Sequence, residues 1–147
     1  MSDGRGHEAR SREELVEILE TTRIIAVVGA SRDPSKAAHA IPGCLHGQGY
    51  RILPVSPRGG TLFGEAVRAS LGELGEPVDV VDVLRPPAEA EEVARAAVDA
   101  GAKVLWFQPG TNRPEGVHLA LEAGMTVVTG LCMGALHAQL GLGPGPG

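Results

Sequence analysis

Arg23-Ile24-Ile25-Ala26-Val27-Val28-Gly29-Ala30-Ser31-Arg32-Asp33-Pro34-Ser35-Lys36 decides how the chain folds. It begins as an unbroken apolar run rich in β-branched residues and too short for a membrane, which predicts a strand buried on both faces. At Gly29 the run stops and gives way to a small, polar, proline-containing corner. A corner of this kind at the carboxyl end of a first parallel strand suits a phosphate-bearing ligand. Backbone N–H groups face outward there, and the following helix adds the positive end of its dipole.

Outward from this stretch, strands and helices alternate. Ser11, with Glu14 three residues on, predicts a helix start, and Leu15, Ile18 and Leu19 form its apolar stripe. Pro42 limits where the helix after the corner begins, so regular helix is expected from about Ala38 to Gln48, leaving Ser31 to Ala37 as a ligand loop. Further strands are expected at Arg51–Ser56, Val78–Leu84, Lys103–Phe107 and Met125–Thr129. Between them, Thr61–Ala69 reads as loop and Ser70–Leu74 as one helical turn. Helices are expected at Pro87–Ala100, Arg113–Ala123 and Cys132–Leu140. Five strands alternating with helices imply a Rossmann-like, doubly wound parallel sheet in a three-layer α/β/α domain. It would span residues 11–140, with a disordered N-terminus at 1–10 and a flexible tail at 141–147.

Composition narrows the function. Glycine is abundant, 21 of 147 residues against a usual share of roughly 7%, and much of it falls where strands and helices meet. The formal charge of −5 and the 3% aromatic content argue against nucleic acid as a partner. Two cysteines are too few for a disulfide framework, which favours a reducing cytoplasm. No apolar run is long enough to span a membrane, and the N-terminus is not a signal peptide.

On this acidic protein, three cations fall at the carboxyl ends of predicted strands. The first strand brings Gly29, Ala30 and Ser31, with Lys36 further along the loop; the second brings Val55, Ser56, Pro57 and Arg58. The third brings Leu84, Arg85 and Pro86, and the fourth Gln108, Pro109 and Gly110. Solvated corner residues are the plain alternative; converging cations at the ligand edge of an α/β sheet favour an anion site. The NAD fingerprint is incomplete, since only Gly29 of its glycine triplet is present and the second strand ends in Ser56-Pro57-Arg58 without an acid. Arg58 suits a phosphorylated ribose, which leaves NADP and coenzyme A.

Ile25 to Ser31 with Lys36, Gly49 to Arg58, Phe63-Gly64-Glu65, Val78 to Pro87 and Val104 to Gly110 together resemble the CoA-binding domain family. These are free-standing relatives of the CoA-binding domain in succinyl-CoA synthetase α subunits, and the resemblance runs from about Leu15 to Leu140. It implies a Rossmann-like fold, coenzyme A or acyl-CoA as ligand, and a homodimer. By it, the Gly29-Ala30-Ser31 corner and Lys36 hold the phosphates, Val55 to Arg58 line the adenosine and its phosphate, and Leu84 to Pro86 flank the ligand. The family usually carries Asn at Ser56 and an Asp-Arg pair at Gly130-Leu131. No catalytic set follows: succinyl-CoA synthetases use a histidine outside this domain. The alternatives are an NADP-dependent reductase and the CoA-binding subunit of an acyl-CoA synthetase working with a separate ATP-grasp chain.

Other residues have simpler readings. His39 is the histidine nearest the corner and a candidate phosphate contact. Cys132, expected at a helix N-terminus, is either a packed thiol or a site for a mixed disulfide with the ligand. Asp82, in mid-strand, is expected to accept local hydrogen bonds rather than act as a base. Trp106 and Phe107 are expected in the core. No metal site is expected.

Overall fold

The computed structural model describes residues 6–142. Five parallel strands form the central sheet: β1 (Ile24–Val28), β2 (Arg51–Val55), β5 (Val80–Val83), β6 (Val104–Phe107) and β7 (Thr126–Val128), in the order β2-β1-β5-β6-β7. A two-stranded antiparallel hairpin, β3 (Thr61–Leu62) and β4 (Glu65–Ala66), forms a separate ladder beside β2. The sheet faces bury two apolar clusters. One holds Val93, Ala94 and Ala97 of α3 (Ala90–Asp99) with Ala120 of α4 (Pro114–Glu122). The other holds Leu15 and Leu19 of α1 (Arg12–Thr21), Leu45 of α2 (Ala37–Gly47), and Met133 and Leu136 of α5 (Met133–Gln139). Helices on both faces make the doubly wound, Rossmann-like three-layer domain that the alternating pattern predicts.

Local chemistry sets the boundaries. Ser11 caps α1, its hydroxyl oxygen accepting the Glu14 N–H at 3.2 Å. Pro54 sits in β2, an edge strand, where its missing N–H costs no bond to β1. Its carbonyl faces the outer side and accepts the Arg68 N–H at 3.1 Å. Pro42 lies inside α2, not at its start, and so cannot donate to the Ala38 carbonyl; the Ser31 N–H takes that carbonyl at 3.0 Å instead. The helix runs from Ala37 to Gly47, within a residue of the expected Ala38 to Gln48 at each end.

Two segments differ from the sequence-based expectation. Thr61–Ala69, read as loop, contains the hairpin, whose tip is Phe63 at φ 52° and Gly64 at φ 78°. Residues 6–10, expected to be disordered, run along β7: Val127 donates to the His7 carbonyl at 3.0 Å, Ala9 donates back at 2.9 Å, and Ala9 is buried. Pairing covers an edge that would otherwise present unpaired amides, which is why a polar stretch is ordered there. Residues 1–5 and 143–147, expected to be disordered or flexible, lie outside the described residues.

Candidate functional site

Strand order reverses between β1 and β5, whose chain neighbours lie on opposite sides, and the crevice outside their carboxyl ends is the ligand position of such sheets. Gly29 forms its floor. A Cβ on it would lie 2.7 Å from the Leu84 carbonyl oxygen and 2.8 Å from Arg85 Cδ, and its φ is +96°. Only glycine lets the two strand ends come this close.

Two clefts open from the crevice. The polar one, about 700 Å³, is lined by Gly29, Ala30, Ser31 and Lys36 from the first loop, Ser56, Pro57 and Arg58 from the second, and Leu84 and Arg85 from the third. The apolar one, about 290 Å³, lies toward α3 between Val28, Val55, Leu71 and Val93. Gly29, Ser56, Pro57 and Arg85 border both, so the clefts adjoin. Of the residues singled out from sequence, Val55 belongs to the apolar cleft, and Pro86 lines neither, serving as the cap of the 3-10 turn Pro87–Glu89.

The cations are not equally free. Lys36 and Arg58 form no salt bridge among the described residues, whereas Arg85 grips Glu89 with Nε–Oε1 at 3.1 Å and Nη2–Oε2 at 2.7 Å. That paired bond holds the Glu89 carboxyl below its ordinary range and raises Arg85 in turn. Arg32 and Asp33 also line the polar cleft, and the motif-based reading passed over both. A basic residue inside the expected ligand loop was the available signal for Arg32. Asp33 is turned back on its own loop: the Ser35 hydroxyl at 2.7 Å and the Ser35 N–H at 3.0 Å hold its carboxyl below the usual range. The Gly29 and Ser31 amides are spent on Val55 and Ala38, so the amides without a protein acceptor here, among the described residues, are those of Ala30 and Arg32 and, at the start of α2, Ala37 and Ala38.

His39 does not contact the cleft through Nδ1, which donates to the Ser31 carbonyl at 2.7 Å and braces the loop from behind. Its ring lies 5.2 Å from that of Phe63, so the hairpin tip packs on α2. Cys132 caps α5 without a side-chain bond and is half-buried. Gln108 is buried against Asp82 and lines neither cleft. Trp106 and Phe107 are fully buried, and Trp106 Nε1 donates to the Leu131 carbonyl at 2.8 Å. Among the described residues no helix is long and apolar enough to cross a membrane.

Comparison with known proteins places this geometry in context. The sequence profile of the CoA binding domain matches residues 23–138. The uncharacterized protein YneT of Bacillus subtilis (strain 168) is 34% identical over 128 residues, covering 87% of this chain and 95% of the relative. Cell-free ID.343 from Thermus thermophilus is 41% identical with a TM-score of 0.86, over 89% of this chain and 99% of that one. The dinucleotide-forming acetyl-coenzyme A synthetase 1 of Ca. Korarchaeum cryptofilum, in its apo form, is 26% identical with a TM-score of 0.64. The similarity covers 77% of this chain but 27% of the synthetase.

Proposed function

The chain belongs to the CoA binding domain family, and on that premise we propose that it binds coenzyme A or a CoA thioester through phosphates and adenosine and does no chemistry of its own. The observation that carries this reading is the pairing of the two clefts at the switch point. A cationic cleft with Lys36 and Arg58, which form no salt bridge among the described residues, adjoins an apolar slot walled by Val28, Val55, Leu71 and Val93. The adenine fills the slot, where its planar ring faces lose water against apolar side chains. The ribose crosses at Ser56 and Pro57, and the phosphates lie over the Ala30 and Arg32 amides beside Lys36. Arg85, on the border of both clefts, spends two of its five N–H donors on Glu89 and keeps the others for the ligand.

The test is a thermal-shift titration with CoA, 3′-dephospho-CoA, NADP and NAD. A ligand at a hundred times its dissociation constant adds roughly 2.7 kcal/mol of stability, enough to read as a rise of several degrees. We expect CoA to give the largest rise. An equal or larger rise with NADP would favour the reductase, and no rise with CoA would end the proposal.

A second reading is supported by the resemblance to part of an acetyl-CoA synthetase. On it, the chain is a CoA-binding subunit whose chemistry is supplied by a separate ATP-grasp chain. Co-purification of such a chain, with synthetase activity only in the mixture, would favour it.

A further inference from the structure

Arg32 crosses from the first strand-end loop to the second. Its Nη2 donates to the Gly59 carbonyl, and its guanidinium lies against Gly60. A Cβ on Gly60 would fall 2.7 Å from Arg32 Cζ and 3.3 Å from Nε, so the bare glycine makes room for the arginine. Gly60 itself is pinned, its carbonyl accepting the Val67 N–H at 2.8 Å. The guanidinium has five donors and the carbonyl uses one. No salt bridge among the described residues neutralises it; the adjacent Asp33 carboxylate turns its Oδ1 to the Ser35 N–H and hydroxyl. Arg58 belongs to the same Pro57–Gly60 turn and lines the same cleft.

Resting on the CoA reading, we infer that Arg32 is a specificity-determining residue, the partner of Arg58 in holding the phosphomonoester of a 3′-phosphorylated ribose. The cleft then has two unlike ends. At the loop end, Lys36 and the free amides of Ala30 and Arg32 suit a diphosphate whose groups are each esterified and singly charged. At the turn end, two planar forks suit a terminal phosphate, which carries a charge of roughly −1.5 to −2 at pH 7 and offers three acceptor oxygens. A plain staple between loops would serve any ligand of the cleft equally; a phosphate ligand favours the one bearing the extra monoester.

The test compares dissociation constants for CoA and 3′-dephospho-CoA by calorimetry in the wild type, R32A, R32K and G60A. A charge-assisted bond is worth about 10- to 100-fold in affinity. We expect R32A to weaken CoA by that factor, to leave 3′-dephospho-CoA within about threefold, and to erase the preference between them. R32K, which keeps the charge and loses the fork, should fall between. G60A, which pushes the guanidinium aside without removing it, should weaken CoA more than its dephospho form. If R32A weakens both ligands equally, or neither, the inference is wrong while the CoA reading stands. A wild-type protein that binds neither ligand overturns both.

Discussion

Gln108 donates from Nε2 to Asp82 Oδ1 at 2.6 Å in the middle of the sheet, with both side chains buried. Asp82 faces Val27 of β1 and Trp106 of β6 across the ladder, and its second oxygen, like Gln108 Oε1, has no partner among the described residues. Desolvation pushes the Asp82 carboxyl up to about 7, against the weaker opposing effect of the Gln108 bond. The folded state thus holds a proton that the unfolded chain releases near pH 4. Stability from this group is complete below pH 4 and is lost as pH rises toward 7, at up to about 1.4 kcal/mol per pH unit. Asp82→Asn, whose amide can donate to Gln108 Oε1, should remove that slope and exceed the wild type in stability at pH 8. Denaturant unfolding of both proteins at pH 4 and pH 8 checks this, and equal stabilities at pH 8 would contradict it.

The Ser31 N–H donates to the Ala38 carbonyl, which Pro42, with no N–H to give, leaves without its helical donor. Pro42→Ala restores a helical donor that competes for that oxygen. Hydrogen exchange at the Ser31 amide should quicken by an order of magnitude, and CoA affinity should fall several-fold as the loop loosens. An unchanged exchange rate would show that the loop is held by other contacts.

Arg85 is bound to Glu89 where the two clefts meet. The pair is about half exposed, so its release costs little, roughly 1 kcal/mol or less. Glu89→Gln removes the competitor, and calorimetry should show CoA binding tighter by up to about fivefold. Weaker binding would mean that Glu89 itself touches the ligand.

Gly116 of α4 packs under α3 so closely that a Cβ would lie 2.8 Å from the Ala90 carbonyl oxygen. Gly116→Ala should cost roughly 1–3 kcal/mol as the helices are forced apart. Its thermal midpoint should drop by several degrees while CoA affinity holds, since neither cleft includes this contact.

Much of this was legible in the sequence for a physical reason. Strands buried on both faces must be apolar throughout, so Ile24–Val28 and Val104–Phe107 stand out without any partner in view. The hairpin was not legible, because its strands are two residues long and its tip puts Phe63 in the left-handed region where sequence rules expect glycine or asparagine. Order at residues 6–10 comes from an edge of β7 that only the assembled sheet offers. The cations at the strand ends could be listed from the chain, but not which were free: Arg85 meets Glu89 one helical turn on, and Arg32 reaches Gly59 across 27 positions.

Calorimetric titration of CoA into the wild type and into the Lys36→Ala, Arg58→Ala double variant tests the phosphate-gripping cleft most directly. Two charge-assisted contacts removed together should weaken CoA by at least about 100-fold, with the thermal midpoint of the free protein little changed because neither side chain forms a salt bridge among the described residues. CoA binding as tightly to the double variant as to the wild type would contradict the account.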